Sequence, residues 1–187
     1  MSLPHRVLRL ALIFVIAVAL VNCAPREAEL SGHTMGTTWS VKVVDSPVAP
    51  AELQVGLERA LERVNALMST YDPGSELMRF NRAPVHEPFA VDDDTRHVVR
   101  LSLEISELTD GGFDVTVGPL VNLWGFGPGQ RPEQMPDAAL IERTKRMVGY
   151  HRLRIEGNAL VRETRLSVDL SAIAKGHAVD VLARRLE

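Results

Sequence analysis

A chain of 187 residues with 45% hydrophobic residues and a formal charge of −3 suits one ordinary globular domain. Its 21 basic residues are scattered along the sequence, so no positive stripe exists to neutralise phosphates, and a nucleic-acid partner is excluded. Cys23 is the only cysteine, which excludes an internal disulfide and leaves stability to the core.

In chain order, His5, Arg6 and Arg9 precede an uncharged run, LALIFVIAVALV, from Leu10 to Val21. At about 1.5 Å per residue this run is shorter than the roughly 20 residues that cross a bilayer. It matches the apolar core of an export signal. The run ends in LVNC, where Cys23 resembles the acceptor of a bacterial lipoprotein, whose thiol is lipidated before cleavage. Asn22 departs from the glycine or alanine usual at that position. The expected organisation is a lipoprotein signal peptide over 1–22, a short polar tether over 23–31 and a folded domain over 32–187.

TTWSVKVV, Thr37 to Val44, alternates as a half-buried strand does. SPVAP breaks it, and residues 51–69 read as a helix with Leu53, Leu57, Leu61, Val64 and Met68 on one apolar stripe. DPGS is a turn, after which Ser75 caps a short helical turn through Phe80. VDDDT offers caps for a second long helix over 94–108, stopped where Gly111 or Gly112 takes the left-handed conformation. MPDAALIERTKRMV is a third helix, and RLRIEGNALVRE a β-hairpin turning at Gly157–Asn158. A strand then runs to about Asp169, a small-residue turn from Ser171 to Ala174 follows, and a helix continues to Glu187. Helices and hairpins mix without a βαβ repeat, so the expected class is α+β. The last helix reaches Glu187 with no cap or polar tail, which reads as a chain that continues.

Three segments carry possible chemistry. TDGGFDVTVGPLVNLWGFGP, residues 109–128, is too glycine-rich to read as a helix and too apolar for a solvated loop. Its bare backbone lets main-chain N–H groups approach a ligand, Phe113, Trp124 and Phe126 offer stacking faces, and Asp114 accepts hydrogen bonds. Two readings stand: a pocket for a flat, polar-edged ligand, or a loop that packs its aromatics into the core. GHTMGTTWS has the same character in weaker form. In VDLSAIAKGHAVD, a strand-to-helix junction presents free N–H groups and a positive dipole end, with Asp169 and Lys175 beside it. Asp169 then either reaches a ligand or simply caps the helix. The histidines show no metal spacing, and no Ser–His–Asp set can be picked out.

TMGTTWSVKV, MSTYDPGSELMRFN, TDGGFDVTVGPLVNLWGFGP and VDLSAIAKGHAVD follow the order and spacing of the FAD:protein FMN transferases. The chain thus resembles this family, the ApbE family of bacterial periplasmic lipoproteins, from about His33 to Glu187. The resemblance implies an α+β fold related to the tunnelling-fold enzymes, with FAD bound between two lobes. It implies Mg²⁺-dependent transfer of the FMN half of FAD to a threonine hydroxyl of an acceptor protein, with release of AMP. The acceptors are flavin-carrying subunits of membrane redox complexes, and the location is the periplasm, anchored to the membrane by lipid. By position, Met35, Tyr71, Gly112, Phe113, Asp114, Asp169 and Lys175 match cofactor contacts of the family. Ala172 matches a position that gives the metal a backbone oxygen. The family's remaining metal ligands lie beyond Glu187, and no residue of this chain is matched to the catalytic base.

Overall fold

The computed structural model describes residues 26–129 and 131–187, so Cys23 and the apolar run before it lie outside the described residues. These residues form two units. The smaller takes in the described residues up to His33 together with Thr38–Val55, and the larger comprises Thr34–Thr37 and Gly56–Glu187.

The smaller unit is built on a hairpin of β1 (Glu27–Thr34) and β2 (Thr37–Val44). β2 alternates between half-buried and exposed positions, as its sequence predicts. β1 corrects the tether reading: residues from Glu27 onward are strand, because β2 supplies their backbone partners. Arg26 and Asp45 close the open end. The Arg26 N–H donates to the Asp45 carboxylate (2.8 Å) and the Asp45 N–H to the Arg26 carbonyl (2.9 Å).

α1 (Pro50–Met68), which belongs to the larger unit from Gly56 on, buries Leu57, Leu61, Val64 and Met68 of the predicted stripe together with Leu67, and leaves Leu53 half-buried. Ser75 caps α2 (Glu76–Arg82) through the Met78 N–H, and Asp92 caps α3 (Asp93–Leu108) through that of Asp94. α3 buries Ser102 and Ser106 beside Val98 and Val99 without an unmet hydroxyl, since each serine donates to the carbonyl four residues back. After α3, Asp110 (φ 50°) and Gly111 (φ 78°), not Gly112, take positive φ.

The glycine-rich stretch does contain a helix, α4 (Gly118–Leu123). Its glycines sit at the ends and leave Leu120–Leu123 free to wind. A Cβ on Gly118 would lie 2.7 Å from the Ser167 carbonyl oxygen, so only glycine lets α4 start there. α5 is shorter than predicted, Ala138–Lys145, because Asp137 caps it by accepting from the Leu140 N–H.

A three-stranded antiparallel sheet orders β3 (Phe89–Ala90), β5 (Ala159–Arg162) and β4 (Leu153–Glu156), with the fully buried β5 in the middle. The β4–β5 turn lies at Gly157, as predicted. The strand expected up to Asp169 is not one. Residues 166–170 carry a single parallel bridge, Val117 to Ser167, and the Asp169 N–H donates to the Val115 carbonyl at 2.7 Å. The Asn81 side chain takes the place of a neighbouring strand: its amide donates to the Val168 carbonyl and accepts from the Val168 N–H, both at 2.8 Å. α6 (Ser171–Leu186) begins directly after this segment, so the expected small-residue turn is its first turn.

Candidate functional site

A cavity of about 900 Å³ lies within the larger unit, walled by four short segments and by Val117, Val121 and Phe126 in and around α4. Met35 and Gly36 form one wall. Both have positive φ, 50° and 70°, as a two-residue hairpin turn of type I′ requires. Glycine accepts that conformation without cost. For Met35 it is an uncommon backbone state at the edge of a cavity.

The end of α1 and the loop after it form the second wall, through Asn65, Met68, Ser69, Thr70 and Tyr71. Ser69 fixes this loop, its hydroxyl accepting from the N–H groups of Tyr71 (3.1 Å) and Asp72 (3.2 Å). Tyr71 is largely exposed, and its hydroxyl donates to the Phe126 carbonyl at 3.0 Å. The phenol thereby ties the mouth of the cavity to the loop after α4.

Gly112, Phe113, Asp114 and Val115 build the third wall. Asp114 is committed to its own loop. One carboxylate oxygen accepts from the Thr116 N–H and hydroxyl, both at 2.7 Å, and the other from the Tyr150 N–H at 2.9 Å. The Thr116 hydroxyl also accepts from the Gly149 N–H, so one buried threonine and one carboxylate lock residues 114–116 to 149–150.

Asp169, Ser171, Ala172 and Lys175 complete the enclosure. Asp169 is buried, and one of its oxygens accepts from the Ser171 N–H at 2.8 Å. Its other oxygen has no protein donor among the described residues. The first turn of α6 brings the positive end of a 16-residue helix to the cavity, and exposed Lys175 adds a full charge that no carboxylate of the described residues pairs.

All the predicted cofactor contacts, Met35, Tyr71, Gly112, Phe113, Asp114, Asp169 and Lys175, border this one cavity, and so does Ala172. Of the three aromatic faces read from the sequence, Phe113 and Phe126 line it and Trp124 does not. Sequence reasoning missed Asn65, Thr70 and Ser171. Thr70 stands in a stretch that reads as turn chemistry, and only the fold turns it, buried, toward the cavity. His177, two residues past Lys175, faces elsewhere: it is buried 3.9 Å from Asp94, with the His97 ring 6.1 Å away. Burial, the largest influence, holds its imidazole below the ordinary range, against the opposing pull of Asp94.

The arrangement suits a flat ligand with an anionic arm. Methionine, valine and phenylalanine side chains supply apolar area, and one free carboxylate oxygen, one lysine and one helix start supply orientation. Residues 35–187 match the model of the ApbE family. The chain belongs to that family. It is 45% identical over 180 residues to the FAD:protein FMN transferase of Vibrio cholerae, covering 95% of this chain and 54% of that protein. The Haemophilus influenzae FAD:protein FMN transferase is 38% identical over 187 residues, with the same shares covered. The solved structure of the V. cholerae flavin transferase ApbE matches with a TM-score of 0.85 at 46% identity, over 87% of this chain and 54% of that one. The apo form of the Pseudomonas stutzeri flavinyl transferase ApbE matches at 0.82 and 36% identity, over 87% and 55%. The chain thus spans about half the length of the curated ApbE relatives it matches.

Mg²⁺ favours octahedral oxygen ligation with one or two carboxylates. At the cavity the described residues offer one free oxygen of Asp169 and the backbone of Ala172. Among the described residues no three acidic, histidine or cysteine side chains gather as a metal site would need. These residues alone do not make a Mg²⁺ site.

Proposed function

We propose that this chain forms the flavin-binding part of an FAD:protein FMN transferase, which moves the FMN moiety of FAD to a threonine hydroxyl of an acceptor protein and releases AMP. The observation that carries the reading is the convergence of eight family-matched residues, from four separate motifs, on a single cavity. In this reading the isoalloxazine lies against Met35, Tyr71 and Phe113. The free oxygen of Asp169 accepts from the ligand, and Lys175 with the start of α6 draws its phosphates. The reaction breaks the pyrophosphate P–O bond and forms a P–O bond to the acceptor hydroxyl. The chain's own residues contribute by binding, by orienting the flavin phosphate and by excluding water. Mg²⁺ would neutralise the pyrophosphate charge, and the reading assigns its other ligands to the part of the relatives' length that this chain does not match.

The acceptors proposed are flavin-carrying subunits of membrane redox complexes. The protein would sit in the periplasm, anchored through lipidated Cys23. Cys23→Ser is expected to move it from the membrane to the soluble fraction, and a wild-type protein already soluble with a free thiol would remove the anchor from the account.

The 187-residue chain alone is expected to transfer no FMN, so transfer is tested by incubating a protein that carries it at the relatives' full length with FAD, Mg²⁺ and an acceptor and reading flavin fluorescence of the denatured acceptor in a gel. The expected result is a fluorescent acceptor band with AMP released in equal amount. AMP without labelling would make the activity FAD hydrolysis, and tight FAD binding with neither product would make the protein a flavin-binding module.

A further inference from the structure

Residues 166–170, before α6, border two cavities. Asp169 lines the first, whereas Leu166 and Ser167 line a second, of about 550 Å³, together with Arg82, Arg162 and Arg165. Its remaining lining residues, Asn81 and Ala83–Val85, carry no charge, so three guanidinium groups share this cavity without a carboxylate. Elsewhere in the chain Arg63, Arg96, Lys145 and Arg154 all have acidic partners within 4 Å. Glu163, next to Arg162 in sequence, is taken by Arg154 at 2.8 Å.

Arg162 is the buried member, at 5% exposure. Its guanidinium donates to the carbonyls of Asn81 (2.9 Å), Leu166 (2.7 Å) and Ala83, and it lies over the Phe80 ring. These partners are neutral. They hold the group in place without cancelling its charge, and its Nε has no partner among the described residues. A buried charge is ordinarily paired. Arg82 and Arg165 are exposed at the same cavity. Arg82 spends one donor on the Pro73 carbonyl (2.6 Å), and Arg165 spends none on the described residues. The cavity therefore combines a fixed positive charge that no carboxylate of the described residues cancels with two exposed guanidinium groups, Arg165 free and Arg82 with one donor spent, of the shape that takes tetrahedral oxyanions bidentately.

We propose that this second cavity is a binding site for a phosphate group, gripped by Arg82 and Arg165 in the field of buried Arg162. A phosphate dianion matches the charge better than a carboxylate, and the volume admits either free phosphate or the phosphoryl end of a small nucleotide. The site stands apart from the flavin cavity and does not rest on the proposed transfer.

The test titrates inorganic phosphate, and separately adenosine monophosphate, against the chain at matched ionic strength, following the melting temperature and the ³¹P resonance. Saturable stabilisation beyond that of chloride is expected. Arg82→Gln and Arg165→Gln, both at exposed positions, should each weaken it about tenfold, while Lys175→Gln in the first cavity keeps it. Tighter binding of the nucleotide through the same arginines would identify a phosphoryl ester as the ligand, and equal binding would identify free phosphate. No saturable effect, or one lost in Lys175→Gln and kept in both arginine variants, overturns the proposal.

Discussion

Asp114 and Asp169 border the same cavity, and the fold commits them differently. Asp114 accepts three hydrogen bonds from Thr116 and Tyr150 with both oxygens, whereas Asp169 gives one oxygen to the Ser171 N–H and keeps the other. From sequence alone Asp114 reads as a hydrogen-bond acceptor for a ligand, and Asp169 as either a ligand acceptor or a helix cap. Their hydrogen bonds commit Asp114 to holding the wall and leave one oxygen of Asp169 available to a ligand. An acidic residue at a pocket edge is thus informative only once its lone pairs are counted.

Replacing Asp114 by alanine should cost the most, about 3 kcal/mol of stability, because it strands the N–H groups of Thr116 and Tyr150 together with a hydroxyl. Chemical denaturation measures this, and a loss as small as that of a surface substitution would break the comparison. Asp169→Ala should do the converse. FAD affinity is expected to fall about tenfold, while stability falls by about 1 kcal/mol for the single Ser171 contact. Equal effects of the two alanines on both properties would erase the distinction.

The same division runs through AKGH, where Lys175 enters the cavity and His177 packs beside Asp94 and His97. Because burial lowers the folded pKa of His177, the unfolded chain takes up this proton first as pH falls. Its contribution is complete above about 6.5, the ordinary histidine value, and declines as pH drops through that value toward the folded one. The slope is at most about 1.4 kcal/mol per pH unit. His177→Phe should flatten this part of the stability profile relative to wild type, and FAD affinity at neutral pH should not change. Tyr71→Phe is the smallest expected effect. It removes only an exposed hydrogen bond to Phe126, so FAD affinity should fall by about 0.5 kcal/mol, seen as a little over a twofold rise in Kd.

The α+β class, the stripe of α1 and the caps of α2 and α3 were legible because spacing and capping chemistry act locally. The failures have non-local causes. β1 is strand because β2 pairs it, and segment 166–170 is not strand because Asn81, far away in sequence, occupies its edge. α4 was hidden by averaging over glycines that stand only at its ends. The glycine-and-aspartate segments did mark the cavity. Thr70 and Asn65 gave no signal, since nothing local distinguishes a hydroxyl or amide facing a cavity from one facing water.

Amide hydrogen exchange with and without FAD tests most directly that the first cavity is the flavin site. The account predicts slowed exchange at Met35–Gly36, Ser69–Tyr71, Gly112–Asp114 and the first turn of α6. It predicts no change at residues 81–85 and 162–167 around the arginine cavity. Slowing at those residues, with the four cavity segments unaffected, would contradict it.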